Sequence, residues 1–211
     1  MGKLQPTILA SIVVLIFGVG LFYIGTDGFR AYTAETARVH RLVDDQPSFP
    51  DVRMEDSFGR EYGISEFDDK YIFITFLYTA CMSVCPQLEY NMAQVYDQLP
   101  EKYVGEDIVF LSISFDPDRD DPKTLNTYKD YFGSDGETWR MVRVPDEEEL
   151  SRLLDTFGVI VIPDGEGNFA HNSAFYLVDK NGQLTDVMDY QEVDAAASTL
   201  KSILKKEEGA L

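Results

Sequence analysis

The chain has 211 residues, of which 37 are acidic and 18 are Lys or Arg, and its formal net charge is −19 at pH 7. This length suits one domain of ordinary size plus an appendage. So acidic a surface repels phosphate backbones, which argues against nucleic-acid binding. The charge suits a basic docking partner, an organism living at high salt or alkaline pH, or solubility alone, and the sequence leaves these alternatives open.

The first feature along the chain is the uncharged apolar segment 7–24. As a helix it would be about 27 Å long, at roughly 1.5 Å per residue, which is close to the thickness of a bilayer core. A cleaved signal peptide is the alternative, but this apolar core is too long and no small-residue cleavage site follows promptly. We therefore expect residues 1–25 to be a single membrane anchor. Residues 26–48 contain a stretch, 34–43, that could form a short helix, but we interpret the segment as a tether.

The side of the membrane is not decided by charge. Lys3 precedes the apolar segment, and Arg30, Arg38 and Arg41 follow it, so the positive-inside rule favours a cytoplasmic domain. Only Arg30 is close to the membrane, and the motifs described below argue for the opposite side. We expect the globular domain, residues 49–211, to face the non-cytoplasmic side of a bacterial cell membrane.

The rest of the chain alternates strand-like and helix-like patterns. Strands are predicted at residues 49–54, 61–64, 71–78, 108–115, 139–144, 173–178 and 183–188. Helices are predicted from Pro86 to about Leu99, from Pro122 to about Phe132, from Asp146 through Phe157, and from Asp194 onward. Residues 159–170 are interpreted as a loop. This order predicts an α/β fold with one mixed sheet and helices on both of its faces.

The only two cysteines, Cys81 and Cys85, lie where strand 71–78 gives way to the helix near Pro86. Positions i and i+4 share one face of a helix, so two thiols there can close a disulfide or hold one soft metal ion. A helix N-terminus also favours thiolates. The pair is a structural bridge, a redox pair, a set of metal ligands or two inert thiols. Open α/β sheets place their sites at such a loop, after a central strand.

Three pieces of the sequence form a recognisable pattern. Residues 76–86 read F-L-Y-T-A-C-M-S-V-C-P, residues 114–120 read S-F-D-P-D-R-D, and His171 comes just before the strand at 173–178. Over about residues 49–204 this pattern resembles the SCO/SenC family of membrane-tethered copper proteins, which help to assemble the CuA centre of cytochrome c oxidase. The resemblance implies a thioredoxin-like, three-layer α/β/α domain preceded by one transmembrane helix.

The resemblance also implies the site and its chemistry. Cys81, Cys85 and His171 would bind copper, as Cu(I), Cu(II) or both, because thiolates suit the soft ion and imidazole suits Cu(II). The implied function is that of a copper metallochaperone that delivers copper to the oxidase subunit carrying the CuA site. A second copper donor or a thiol reductant would be a further partner.

Some positions depart from the family's pattern or leave a role open. Met82 and Ser83 stand where Pro and Asp are common, and we expect Met82 to be a packing residue rather than a ligand. A polar residue often precedes the histidine, whereas Ala170 stands there. Asp116 either accepts a hydrogen bond that orients the site or caps the turn that follows. Arg119 is expected to pair with one of its other acidic neighbours, Asp118, Asp120 or Asp121.

The main alternative is an enzyme. A thiol-disulfide oxidoreductase that reduces the cysteines of an oxidase subunit or another exported protein would use Cys81 and Cys85 as catalytic residues and would not need His171. A peroxiredoxin-like peroxidase fits poorly, because Thr79 is its one nearby match. A copper-sensing module is a third alternative.

Overall fold

The computed structural model describes residues 6–26 and 33–209. The chain divides into an N-terminal unit that ends at Asp45 and a larger unit that begins at Gln46. Lys3, Arg30 and the part of the predicted tether at 27–32 lie outside the described residues.

The N-terminal unit contains two helices, α1 (Pro6–Gly25) and α2 (Ala34–Asp45). Within α1, the span Ile8–Gly25 is long and apolar enough to cross a membrane, and its side chains are not buried against the protein. Helix α2 forms where the sequence was interpreted as a tether. It begins at a Thr33 cap, whose hydroxyl accepts a hydrogen bond from the Thr36 backbone N–H at 3.0 Å.

The larger unit is built on nine strands and four helices in the described residues. The strands are β1 (Met54–Asp56), β2 (Glu61–Tyr62), β3 (Tyr71–Leu77), β4 (Ile108–Ser114), β5 (Trp139–Arg143), β6 (Val161–Pro163), β7 (Phe169–His171), β8 (Phe175–Val178) and β9 (Leu184–Met188). The helices are α3 (Val84–Gln98), α4 (Pro122–Asp130), α5 (Glu147–Thr156) and α6 (Val193–Glu208). A 3₁₀ turn spans Ile64–Phe67.

Seven strands form one mixed sheet in the order β2-β1-β5-β4-β3-β8-β9. Strands β3, β4 and β5 run parallel, and the remaining pairs are antiparallel. Strand β3, helix α3 and strand β4 make the predicted βαβ unit. The carboxyl ends of β3 and β4 lie side by side, with Leu77 opposite Ser114. The loops that carry the cysteine and aspartate motifs therefore leave the sheet at the same edge.

The two faces of the sheet are covered by different helices, because alternate strand residues face opposite sides. One core joins the sheet to α3 and α6; it includes Phe73, Phe110, Trp139, Phe175, Leu88, Met92, Val95, Ala197 and Leu200. On the other face, Phe157 at the end of α5 packs edge-on or tilted against Phe76 and Tyr176, with both ring centroids 5.7 Å away. The result is the predicted arrangement of helix, sheet and helix.

Two predicted elements are wrong. Residues 49–53 are not a strand: Pro50 has no N–H for a ladder, and Phe49 instead packs on Phe157, with centroids 5.4 Å apart. Residues 159–170 are not a plain loop, because β6 and β7 form an antiparallel hairpin that ends at His171. Its strands are three residues long and mostly exposed, so they lack the apolar alternation that marks a strand.

Candidate metal centre

The cysteine motif leaves the sheet at the end of β3 and turns into α3. Cys81 lies in the loop and is 3% exposed, whereas Cys85 lies in the first turn of α3 and is 0% exposed. Both are free thiols. The Cys85 backbone N–H donates a hydrogen bond to Cys81 Sγ, 3.4 Å away. It is one of the N–H groups at the start of a helix that have no partner within the helix itself. The sequence predicted this strand-to-helix placement of the two thiols.

The hairpin brings His171 to the cysteines from a distant part of the chain. Its Nε2 lies 3.4 Å from Cys85 Sγ, and its Nδ1 lies 3.0 Å from the carbonyl oxygen of Asn172. A carbonyl can only accept, so Nδ1 carries the proton and donates it to Asn172. The lone pair of Nε2 then faces the thiols, which is the tautomer that a metal ligand needs.

Cys81, Cys85 and His171 converge. Their sulfur and nitrogen atoms all lie within 4.8 Å of one another. Among residues 6–26 and 33–209, this is the one group of three or more Cys, His, Asp or Glu side chains placed closely enough to hold a metal ion. With metal–ligand bonds of about 2.0–2.3 Å, a single ion can span donors at nearly this spacing. Two thiols and one imidazole are soft to borderline donors, so the set fits a soft ion such as Cu(I) better than Mg²⁺ or Ca²⁺.

The protonation states of the three groups differ. Burial alone would raise the pKa of the Cys81 thiol, but hydrogen bonds from Cys85 and Ser83 outweigh it and hold this pKa below its ordinary value. Burial and the neighbouring Cys81 raise the pKa of Cys85. Burial also lowers the pKa of His171. In the metal-free site Cys81 is therefore the more readily ionised thiol, Cys85 holds its proton more tightly, and the imidazole of His171 is less readily protonated than usual.

Aromatic side chains fix the histidine. The Phe115 ring, just after β4, meets the His171 ring at 5.0 Å between centroids, and Tyr78 meets it at 6.3 Å. The Tyr78 hydroxyl also accepts a hydrogen bond from the backbone N–H of Phe169 at 3.2 Å. Tyr78 is buried, and it ties the hairpin to the cysteine loop.

Asp120 supports the cysteine loop, a role that the sequence analysis did not assign. Asp120 is 0% exposed, and its carboxylate accepts hydrogen bonds from the Thr79 backbone N–H, the Thr79 hydroxyl and the Ser114 hydroxyl. These bonds fix the residues just before Cys81 to the loop after β4. The sequence held one indication of this role: the aspartate motif follows β4, the strand that runs parallel to β3 and lies beside it.

Asp116 and Arg119 form a pair beside the site. The expectation that Arg119 pairs with Asp118, Asp120 or Asp121 is wrong, because its guanidinium binds the Asp116 carboxylate. Arg119 also lies over the Tyr78 and Phe169 rings, 5.7 and 5.5 Å from their centroids. Asp116 thus reaches the hairpin through Arg119, whereas Cys81, Cys85 and His171 have other hydrogen-bond partners.

Met82 does not pack as expected. Its side chain is 93% exposed, although it directly follows the buried Cys81. Ser83, the other residue that departs from the family's pattern, places its hydroxyl 3.6 Å from Cys81 Sγ. Ser83 therefore gives the Cys81 thiol a polar contact, and Met82 places an exposed thioether next to Cys81 in the chain.

The chain is similar in sequence to known proteins. A family model described as SCO1/SenC matches residues 46–205. The "SCO1 protein homolog" of Bacillus subtilis is 26% identical over 138 residues, which span 64% of this chain and 69% of that protein.

Solved structures agree with the fold. Bradyrhizobium japonicum ScoI with copper bound gives a TM-score of 0.62 at 22% identity, covering 74% of this chain and 98% of that one. The structure of BsSco, described as a member of the Sco family of cytochrome c oxidase assembly proteins, gives a TM-score of 0.64 at 22% identity, covering 74% and 93%. These likenesses confirm the predicted thioredoxin-like α/β fold.

Proposed function

The chain belongs to the SCO1/SenC family, and from this premise we propose that it is a copper metallochaperone for the CuA centre of cytochrome c oxidase. The single observation that carries the proposal is the convergence of Cys81, Cys85 and His171 within 4.8 Å. The copper-bound ScoI structure and the oxidase-assembly description of BsSco are consistent with it.

The donor set suits transport better than storage. Three ligands leave Cu(I) short of the four that it can accept, so an incoming sulfur of an acceptor can bind before a resident ligand leaves. Loading Cys85 with copper requires that its proton be released, so affinity falls as the pH falls. The pair must also be reduced, since a Cys81–Cys85 disulfide offers no thiolate.

The placement of the protein is part of the proposal. Residues 1–25 would anchor it as a single span, residues 26–48 would connect the anchor to the domain, and residues 49–211 would carry copper on the non-cytoplasmic side of a bacterial cell membrane. The length and exposure of Ile8–Gly25 support an anchor. The partners would be the oxidase subunit that carries CuA and a copper donor or thiol reductant.

Copper titration of the full chain in detergent tests the proposal. With thiols reduced, the protein should take up one Cu(I) per chain against a competing chelator. Cys85→Ser should abolish tight binding, and His171→Ala should weaken it about tenfold or more, in line with the loss of one ligand from three. Wild-type protein that takes up no stoichiometric copper would rule the function out, and unchanged affinity in His171→Ala would remove the histidine from the site.

A second function, thiol-disulfide exchange, is favoured by the unlike cysteines. Cys81 has the lowered pKa of an attacking thiol, and Cys85 is buried with a raised pKa, as a resolving thiol can be. Reduction of a disulfide peptide by the metal-free protein would measure it. His171→Ala should still reduce the peptide while its copper binding is weakened, and that difference separates the two functions.

A further inference from the structure

The sulfur atoms of the chain are almost all hidden from solvent. The structure describes both cysteines and five of the six methionines, since Met1 lies outside the described residues. The methionines are Met54, Met82, Met92, Met141 and Met188. Both cysteines and three of these methionines are buried, and Met188 is half-buried. Among the described residues Met82 is therefore the one exposed sulfur side chain, at 93%, and it directly follows the proposed copper ligand Cys81.

The fold gains little from a methionine at this position. Burial of an apolar side chain stabilises a protein, and Met82 forgoes that gain. The residue lies in the loop between β3 and α3, ahead of the first helical residue, Val84. A side chain so exposed has little packing to hold it, and an unbranched methionine has three rotatable bonds. Its thioether is therefore free to turn towards neighbouring atoms.

The thioether starts from a backbone position beside the site. Consecutive Cα atoms are about 3.8 Å apart, so Met82 begins one such step from Cys81. The loop also folds around that thiol, because the Ser83 hydroxyl lies 3.6 Å from Cys81 Sγ and the Cys85 N–H donates to the same sulfur. The exposed sulfur of Met82 is thus carried by the short loop that joins the two buried thiols.

The chemistry of a thioether suits first contact with Cu(I). Thioethers and thiolates are both soft ligands that select this ion. A thiol must lose its proton before it binds a metal, whereas a thioether has no proton to lose. Because it is neutral, a thioether also attracts the cation less strongly than a thiolate does. Such a ligand can take up the ion readily and give it up again.

The buried thiols need such a contact. Cys81 and Cys85 are 3% and 0% exposed, so a copper carrier cannot bring its own ligands up to both sulfurs at once. We propose that Met82 is the entry ligand of the site: its thioether binds Cu(I) first as the ion arrives and last as it leaves. The inference rests on the proposed copper function and adds one residue to it, while Cys81, Cys85 and His171 remain the ligands that hold the ion.

Each step of entry is an exchange of ligands in which copper remains Cu(I). Met82 Sδ donates a lone pair to the ion, and one ligand of the incoming carrier leaves. Cys81, as a thiolate, displaces a second carrier ligand. Cys85 and Nε2 of His171 then replace the thioether and any remaining carrier ligand, and the Cys85 proton passes to the buffer. Release to an acceptor follows the same steps in reverse.

Stopped-flow transfer of Cu(I) from the coloured chelator bicinchoninate to the reduced full chain, held in detergent, tests the proposal. Wild type is compared with Met82→Leu, which keeps the size of the side chain and removes its sulfur. We expect transfer to slow about tenfold, a small share of the gain that a tethered ligand can give through effective concentration. Removal of copper by excess chelator should slow by the same factor, because a ligand that acts only in passage changes both rates alike and leaves the affinity unchanged.

Two further variants separate the sulfur from other effects. Met188→Leu makes the same change at a half-buried methionine on the edge strand β9 and should transfer copper as wild type does. Met82→His restores a side chain that binds copper and should recover part of the rate. Equal transfer rates in Met82→Leu and Met188→Leu would overturn the proposal. Faster release of copper from Met82→Leu, with uptake unchanged, would make Met82 a lasting ligand and would overturn the entry role as well.

A spectrum of the methionine methyl groups gives a direct readout. With Ag(I) as the probe, Cys85→Ser protein stalls the ion early, and the methyl signal that Met82→Leu removes should shift while that of Met188 does not. An unshifted Met82 signal would contradict the entry role. The two proposals fail differently: stoichiometric copper uptake with no effect of Met82→Leu removes only the entry ligand, whereas wild type that takes up no copper removes the copper function itself.

Discussion

The buried acid Glu89 gives the clearest consequence at the scale of single residues. Its pKa lies near 8 in the folded chain against an ordinary value of 4.5, because burial disfavours its charge. Between these values the unfolded chain has released the proton and the folded chain has not, so raising the pH favours unfolding. The full shift corresponds to roughly 5 kcal/mol at about 1.36 kcal/mol per pKa unit.

Denaturant unfolding at pH 5 and at pH 9 measures this cost. Relative to Glu89→Gln, wild type should lose several kcal/mol of unfolding free energy over that interval, in line with the linkage above. The comparison with the neutral, similarly shaped Gln cancels the contributions of other titrating groups. Parallel pH dependence in the two proteins would mean that Glu89 is already ionised in the fold.

Asp120 makes a second prediction at this scale. Asp120→Ala leaves the Thr79 N–H, the Thr79 hydroxyl and the Ser114 hydroxyl without their acceptor. Hydrogen bonds to a charged group are each worth about 1.5–3 kcal/mol, so unfolding free energy should fall by about 3 kcal/mol or more. Asp118→Ala, in the exposed part of the same loop, is the matched control and should change little. Equal effects of the two substitutions would contradict the role given to Asp120.

At the scale of elements, the site depends on the β6–β7 hairpin being docked. Tyr78→Phe removes the acceptor of the Phe169 N–H while keeping the ring that packs near His171. The hairpin should loosen, with faster amide exchange in residues 161–171 and copper affinity lowered severalfold, since one hydrogen bond is worth about 1 kcal/mol. Tyr131→Phe, at a 75% exposed tyrosine, should do neither. Unchanged exchange in Tyr78→Phe would show that ring packing alone holds the hairpin.

The strands differ in how well the sequence predicts them. Strands β3 and β4 were predictable because both faces are buried, which makes each a continuous apolar run. The β6–β7 hairpin was not, because it is stabilised by contacts with Tyr78, Phe115 and Arg119 rather than by its own pattern.

For the site, residue type was easier to predict than orientation. The ligand types and the family motif singled out Cys81, Cys85 and His171, and these side chains lie together. The sequence does not show which aspartate of the 116–121 loop points into the fold, because tertiary packing decides it. Asp120 was therefore overlooked. Glu89 did leave a signal, since it falls on the same face of α3 as Cys85 and Met92, among apolar positions.

At the scale of the whole molecule, two features act on how the site meets its partners. An apolar helix, α1, is long enough to span a membrane, and the chain as a whole carries a net charge of −19. Attachment to a membrane would confine encounters with an oxidase subunit to a layer near the bilayer, which raises its effective concentration. If the negative charge acts in docking, it would favour a basic acceptor surface, and encounter rates would then fall as salt is added.

X-ray absorption at the copper edge, on the full chain loaded with one Cu(I), shows which atoms bind the metal. We expect two sulfur ligands and one imidazole nitrogen, with the imidazole signal lost in His171→Ala and one sulfur lost in Cys85→Ser. A copper ion bound by sulfur alone, with a spectrum that His171→Ala leaves unchanged, would contradict the three-residue site.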